Sequence, residues 1–101
     1  MSQYVLNGDH SVEPMDDPVE WYNRFSTDDR LIGQDQVGPS VIVTQFMGVA
    51  GGNDSGGRPL CFETLIMKGK LNGRRWLYAT YRDAQEGHKT AMETVRFNEG
   101  F

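Results

Sequence analysis

Apolar and polar positions follow two different periods along this chain. Val41–Val49 (VIVTQFMGV) is β-branched and aromatic, and Pro59–Lys68, which contains CFETLIMKG, is apolar at nearly every step. Both runs predict strands. The Leu71–Gly73 triplet LNG predicts a hairpin turn, after which Arg74–Thr80 (RRWLYAT) pairs back. Beyond Thr80 the period changes. Ala84, His88, Ala91 and Val95 recur at steps of four, three and four, which is one face of a helix.

The weaker elements come earlier. Gln3–Leu6 (QYVL) reads as a short edge strand, and the turn-forming run NGDHSVEPMDDP after it reads as a loop. Asp17-Pro18-Val19-Glu20 carries a helix start: Asp17 to cap, Pro18 for the first helical position, Glu20 for a capping box. Trp21 and Phe25 then share a face, and the helix ends near Ser26-Thr27. Arg30–Val37 is a more polar strand, closed by a turn at Gly38-Pro39. Ala50–Pro59 holds four of the chain's 12 glycines and reads as a long flexible connection. Thr80 offers a cap for the last helix, with Asn98 or Gly100 to end it.

These elements predict an α+β fold: an antiparallel three- to four-stranded meander with the C-terminal helix on one face and a short N-terminal helix at one end. The expected organisation is one domain over residues 1–101. It comprises an extended or loop segment 1–16, a helix over 17–27, the sheet over 30–80 and a helix over 81–97.

Composition narrows the classes. With 38% hydrophobic and 24% charged residues the chain is globular rather than disordered. A formal net charge of −4 opposes non-specific nucleic-acid binding. A single cysteine, Cys61, leaves no internal disulfide and fits a reducing compartment. No apolar run is long enough for a membrane span, and no secretion signal is read. At 101 residues the core is small, so a homo-oligomer is a reasonable way to add burial.

The ordered motifs carry a resemblance. They are Trp21, Asp29-Arg30, Val43-Thr44-Gln45-Phe46-Met47-Gly48, Phe62-Glu63-Thr64-Leu65, and Tyr78-Ala79-Thr80-Tyr81-Arg82-Asp83-Ala84 ending in Gly87-His88. The set resembles a family of small uncharacterised proteins of tailed bacteriophages and prophages, whose members carry the words FETM and YSTWEEAxxGH. The resemblance covers most of the chain. It implies a phage origin and action in the host bacterial cytoplasm. Members often carry an aspartate–histidine pair after the glycine of the first strong strand. This chain has Ala50-Gly51 there, so no role of that pair is carried over.

Two constellations hold candidate chemistry. Glu63 is a charge inside an apolar strand, and His88 lies on the apolar helix face. They form an acid–base or ligand-orienting pair if the helix covers the Glu63 face, and point apart if it covers the Phe62 face. Arg74, Arg75, Trp76, Tyr78, Tyr81, Arg82 and Lys89 gather on the last hairpin and helix start, with Arg30 near if the strands meander. Guanidinium groups with aromatic faces suit a nucleotide. The expected ligand-binding residues are Arg30, Glu63, Arg74, Arg75, Tyr78, Tyr81 and His88, set against the plain alternative of buried structural bonds and an ordinary polar hairpin. No catalytic nucleophile, metal-ligand set or cofactor motif is read.

The functional expectation is a non-enzymatic binding protein that counters host defence by sequestering a nucleotide-type signal. The alternatives are a protein-protein inhibitor or modulator of a bacterial or phage enzyme, and a minor virion or assembly component.

Overall fold

A computed structural model describes residues 2–100. Eight elements follow in chain order: β1 (Tyr4–Leu6), β2 (Val12–Pro14), α1 (Pro18–Thr27), β3 (Leu31–Val37), β4 (Ser40–Phe46), β5 (Phe62–Met67), β6 (Arg75–Tyr78) and α2 (Tyr81–Glu99). The four longer-paired strands form an antiparallel meander in the order β3-β4-β5-β6, and α2 crosses one face of it. The fold is α+β, with the helix and sheet arrangement read from the sequence.

The alternation of the central strands explains where the core sits. Ser40, Ile42, Thr44 and Phe46 of β4 are buried, as are Phe62, Thr64 and Ile66 of β5. These side chains share the face under α2, and Ala84, His88, Ala91 and Val95 meet them from above. Two apolar clusters result. Leu6, Phe46, Cys61, Phe62 and Ala84 form one; Val37, Ile42, Ile66, Ala91 and Val95 form the other. Thr44, Thr64 and His88 are the buried polar residues on the strand positions and helix turn between them.

Helix ends follow their signals. Asp17 Oδ1 accepts from the amides of Val19 (2.9 Å) and Glu20 (3.2 Å), and Thr80 Oγ1 accepts from Asp83 N at 3.1 Å. Gly100, with φ +81°, ends α2, so the helix runs past Asn98. The tryptophan of α1 anchors that helix. Trp21 Nε1 donates to the carbonyls of Tyr4 (2.9 Å) and Gly48 (3.2 Å). Gly48 has φ +75°, and a Cβ there would lie 2.6 Å from the Phe25 ring, which stacks on Trp21.

Two segments differ from the sequence expectation. The run after Leu6 is not all loop: Val12–Pro14 pairs with Tyr4–Leu6 as a two-stranded sheet. The glycine-rich connection is a bonded hairpin. Gly51 N donates to Leu60 O and Leu60 N to Gly52 O, while Asp54 accepts from Gly56 N, Arg58 N and Arg58 Nε. The Asp54 carboxylate thus anchors the tip, while Ala50 packs on the core and Gly51 lies against Leu77 at the base.

Candidate functional site

The helix covers the Phe62 face, so Glu63 and His88 point to opposite sides of the sheet. Each has a different partner. His88 Nε2 lies 2.7 Å from Asp35 Oδ2, and His88 Nδ1 lies 2.7 Å from Thr44 Oγ1. Thr44 Oγ1 in turn lies 2.5 Å from Thr64 Oγ1. A neutral imidazole satisfies all of these contacts when Nε2–H donates to Asp35. Nδ1 then accepts from the Thr44 hydroxyl, which accepts from Thr64.

Backbone geometry lets His88 in. Gly33 lies beneath it, and a Cβ at that position would sit 2.8 Å from His88 Nε2. A bulge between Leu31 and Gly33 sets the register that turns Asp35 toward the helix. An acid, a histidine and a hydroxyl in series are the parts of a nucleophilic triad. Here Thr44 and Thr64 are both 0% exposed, and only the Asp35 end meets solvent. The hydroxyls are sealed from any substrate, and the line's evident work is to join α2 to β3, β4 and β5.

Glu63 faces outward and pairs with Arg75, whose guanidinium Nη2 is 2.6 Å from its carboxylate. Glu63 is 13% exposed at its side chain and Arg75 54%. Around them on the same face lie half-buried Val41, Val43, Leu65 and Leu77, with Leu31 and Met67 exposed at 50% and 39%. No helix packs on this side among the described residues.

The remaining sequence candidates do not converge. Strand alternation sends Arg75 to the outer face and Tyr78 to the helix face. Tyr78 lies against Gly87, where a Cβ would overlap the phenol. Burial pushes the Tyr78 pKa up, with a hydrogen bond to Thr64 pulling the other way. Arg74 is exposed at the end of the hairpin, and its carbonyl accepts from Ile66 N at 2.9 Å. Arg30 lies over the Phe25 ring at 3.8 Å, at the junction of α1 and β3. Tyr81 stacks on His10, with centroids 3.7 Å apart and an angle of 7°.

Comparison with protein-family models, curated proteins and solved structures found no match.

Sequence reasoning named Tyr81 but missed the surface it belongs to. The β1–β2 turn sets His10 on Tyr81 at the start of α2, and clefts open on either side of the stack. One, of about 320 Å³, is lined by Leu6, Arg24, Asp28, Asp29, His10 and Tyr81 among others. Arg24 holds its wall, donating to Leu6 O (3.0 Å), Asn7 Oδ1 (3.3 Å) and Asp28 Oδ1 (3.3 Å). Asp28 Oδ2 is the buried side-chain oxygen that has no hydrogen-bond partner among the described residues. In the sequence His10 is readable only as part of a turn-forming loop, because its stacking depends on the pairing of β2 with β1. Among the described residues no three His, Cys, Asp or Glu side chains group to hold a metal ion, and no helix is long and apolar enough to cross a membrane.

Proposed function

We propose that this chain is a non-enzymatic protein-binding domain that acts through the outer face of its sheet. In the cytoplasm of a phage-infected bacterium, the setting its phage resemblance implies, it would inhibit or modulate an enzyme there. The observation that carries this reading is the patch of Val41, Val43, Leu65, Leu31 and Met67 around the Glu63–Arg75 pair, on which no helix packs among the described residues; Leu77, at its margin, lies against Gly51 of the β4–β5 connection. A contiguous apolar patch with polar residues at its rim is the usual form of a protein contact surface. The partner it fits is a protein with an apolar surface and a charge pair opposite Glu63 and Arg75.

The motif residues support the same reading by their other engagements. Trp21, Gly48, Phe62, Thr64, Tyr78, Gly87 and His88 are each committed to packing or internal bonds. The buried Thr44 and Thr64 hydroxyls argue for a non-catalytic role. Capture from bacterial lysate with wild type and a Val43→Glu, Leu65→Lys variant tests the proposal. A defined partner retained by the wild type and lost by the folded variant is expected. An unchanged partner set would sink it.

A small-ligand reading rests on a different place from the arginine hairpin. The cleft beside the His10–Tyr81 stack offers an aromatic wall and, at Asp28, a carboxylate oxygen without a partner. A nucleobase edge bearing N–H donors suits that chemistry. Calorimetric titration with linear and cyclic dinucleotides and ADP-ribose tests it, with heat expected for wild type and lost on Tyr81→Ala. Silence across the panel removes it.

A further inference from the structure

The last strand of the sheet is an open edge beside a groove. β6 pairs with β5 on one side and, among the described residues, has no strand on the other. Arg74 O accepts from Ile66 N, so the antiparallel pattern turns the backbone groups of Trp76 and Tyr78 inward. Those of Arg75 and Leu77 point to the free edge. Along this edge, on the helix side, runs a cleft of about 200 Å³ lined by Trp76, Tyr78, Gly87, Thr90, Ala91 and Thr94. The α2 residues at 87, 90, 91 and 94 form a stripe of small side chains, which keeps the groove open.

We propose that the β6 edge and this groove receive an extended segment of a partner polypeptide as a fifth strand of the sheet. Strand addition needs two things: unpaired main-chain groups for affinity and a pocket for alternate side chains. Arg75 and Leu77 supply the first. The Trp76–Tyr78–Thr90–Thr94 groove supplies the second and selects an apolar side chain. Charge selects the flank. Arg74, two residues before Trp76 in the chain, is exposed and has no ion-pair partner among the described residues, so an acidic residue of the incoming segment can answer it just beyond the groove. The occupant is therefore an extended peptide alternating apolar and polar residues, with a carboxylate beside the apolar anchor. A second copy pairing through its own β6 is the disfavoured occupant, because the strand RWLY carries no carboxylate to answer Arg74. The edge adjoins the outer patch along β6, and the inference does not rest on that patch.

A phage-displayed library of random heptapeptides, selected on the full chain, tests this. Enrichment of alternating apolar peptides with an acidic residue is expected. In ¹⁵N spectra the selected peptide should shift the Arg75 and Leu77 amides and slow their exchange, leaving Trp76 and Tyr78, already paired, less affected. Thr90→Trp, which fills the groove from an exposed position, should weaken the peptide at least tenfold with the unfolding midpoint unchanged. Val43→Glu on the outer face should leave it bound. The inference is overturned by shifts confined to the outer face or to the His10–Tyr81 cleft. Equally, a dimer in light scattering with Arg75 and Leu77 protected before peptide is added would assign the edge to a second copy.

Discussion

Gly87 and Tyr78 occupy the same space from two elements: the phenol of β6 lies where a side chain on α2 would begin. Alanine is normally better than glycine inside a helix by about 1 kcal/mol. Here the order should invert. Gly87→Ala forces the ring or the helix to move, and overpacking of this kind costs about 1–3 kcal/mol. In a Tyr78→Ala background the same change should be neutral or stabilising. Urea unfolding of the four proteins in the cycle measures the coupling. Equal losses in both backgrounds would show that the ring is not what excludes the side chain.

The line from Thr64 through Thr44 and His88 to Asp35 makes a sharper prediction. Thr44→Val keeps the shape but removes the central hydroxyl, leaving His88 Nδ1 and Thr64 Oγ1 without it. The cost should be about 1–3 kcal/mol, the usual penalty for orphaned buried groups. Adding Thr64→Val should cost less than its single effect, because the Thr44–Thr64 bond is already lost, while the Tyr78 phenol loses its Thr64 partner in either background. Strict additivity in chemical denaturation would mean that the two hydroxyls are not one network.

Much of this fold was legible from spacing alone. The positions Ala84, His88, Ala91 and Val95 can share a face only in a helix, and all four are buried. β2 was hidden because Val12–Pro14 has three residues and a proline, and pairs only with another three-residue strand. The side of the sheet that α2 covers was not legible, since Phe62, Thr64 and Ile66 are scarcely more apolar than Cys61, Leu65 and Met67. Asp35 lies 53 positions from His88, and its orientation depends on the bulge before Gly33. A shift of one residue would have turned it to the other face. The splitting of Arg75 from Tyr78 was readable: three positions apart on a strand, they face opposite ways.

Alkaline pH should weaken the fold through Cys61. Its thiol is buried in the Phe46–Phe62 cluster, and burial raises its pKa from 9.0 to about 11. Between those values the unfolded chain releases the proton while the folded chain keeps it. Stability is therefore full below pH 9 and falls as pH rises toward 11, by an amount on the order of 1–3 kcal/mol. Burial raises the Tyr78 phenol as well, which adds to the loss in the same direction. Urea midpoints at pH 8 and pH 10.5 measure it, with Cys61→Ala as the control that flattens part of the slope. A thiol reagent at pH 8 should label Cys61 only after unfolding. Rapid labelling of the native protein would contradict the burial on which the slope depends.

Glu63→Gln separates scaffold from contact surface. The carboxylate is well covered, but the Arg75 that answers it is 54% exposed at its side chain. Such a pair is screened by water on one side and should contribute no more than about 1 kcal/mol, declining as salt is added. Arg75→Leu should be harsher than Glu63→Gln, because it leaves a covered charge with no partner rather than a neutral amide. Partner capture should respond differently from stability. A protein seated on Val43 and Leu65 would exclude water from the pair, so an interaction nearly neutral in the free chain becomes costly to lose in the complex. Glu63→Gln should then weaken capture at least tenfold while moving the urea midpoint little. If instead it unfolds the protein readily and leaves capture by the surviving folded fraction unchanged, the pair braces β5 against β6 and the contact surface lies elsewhere.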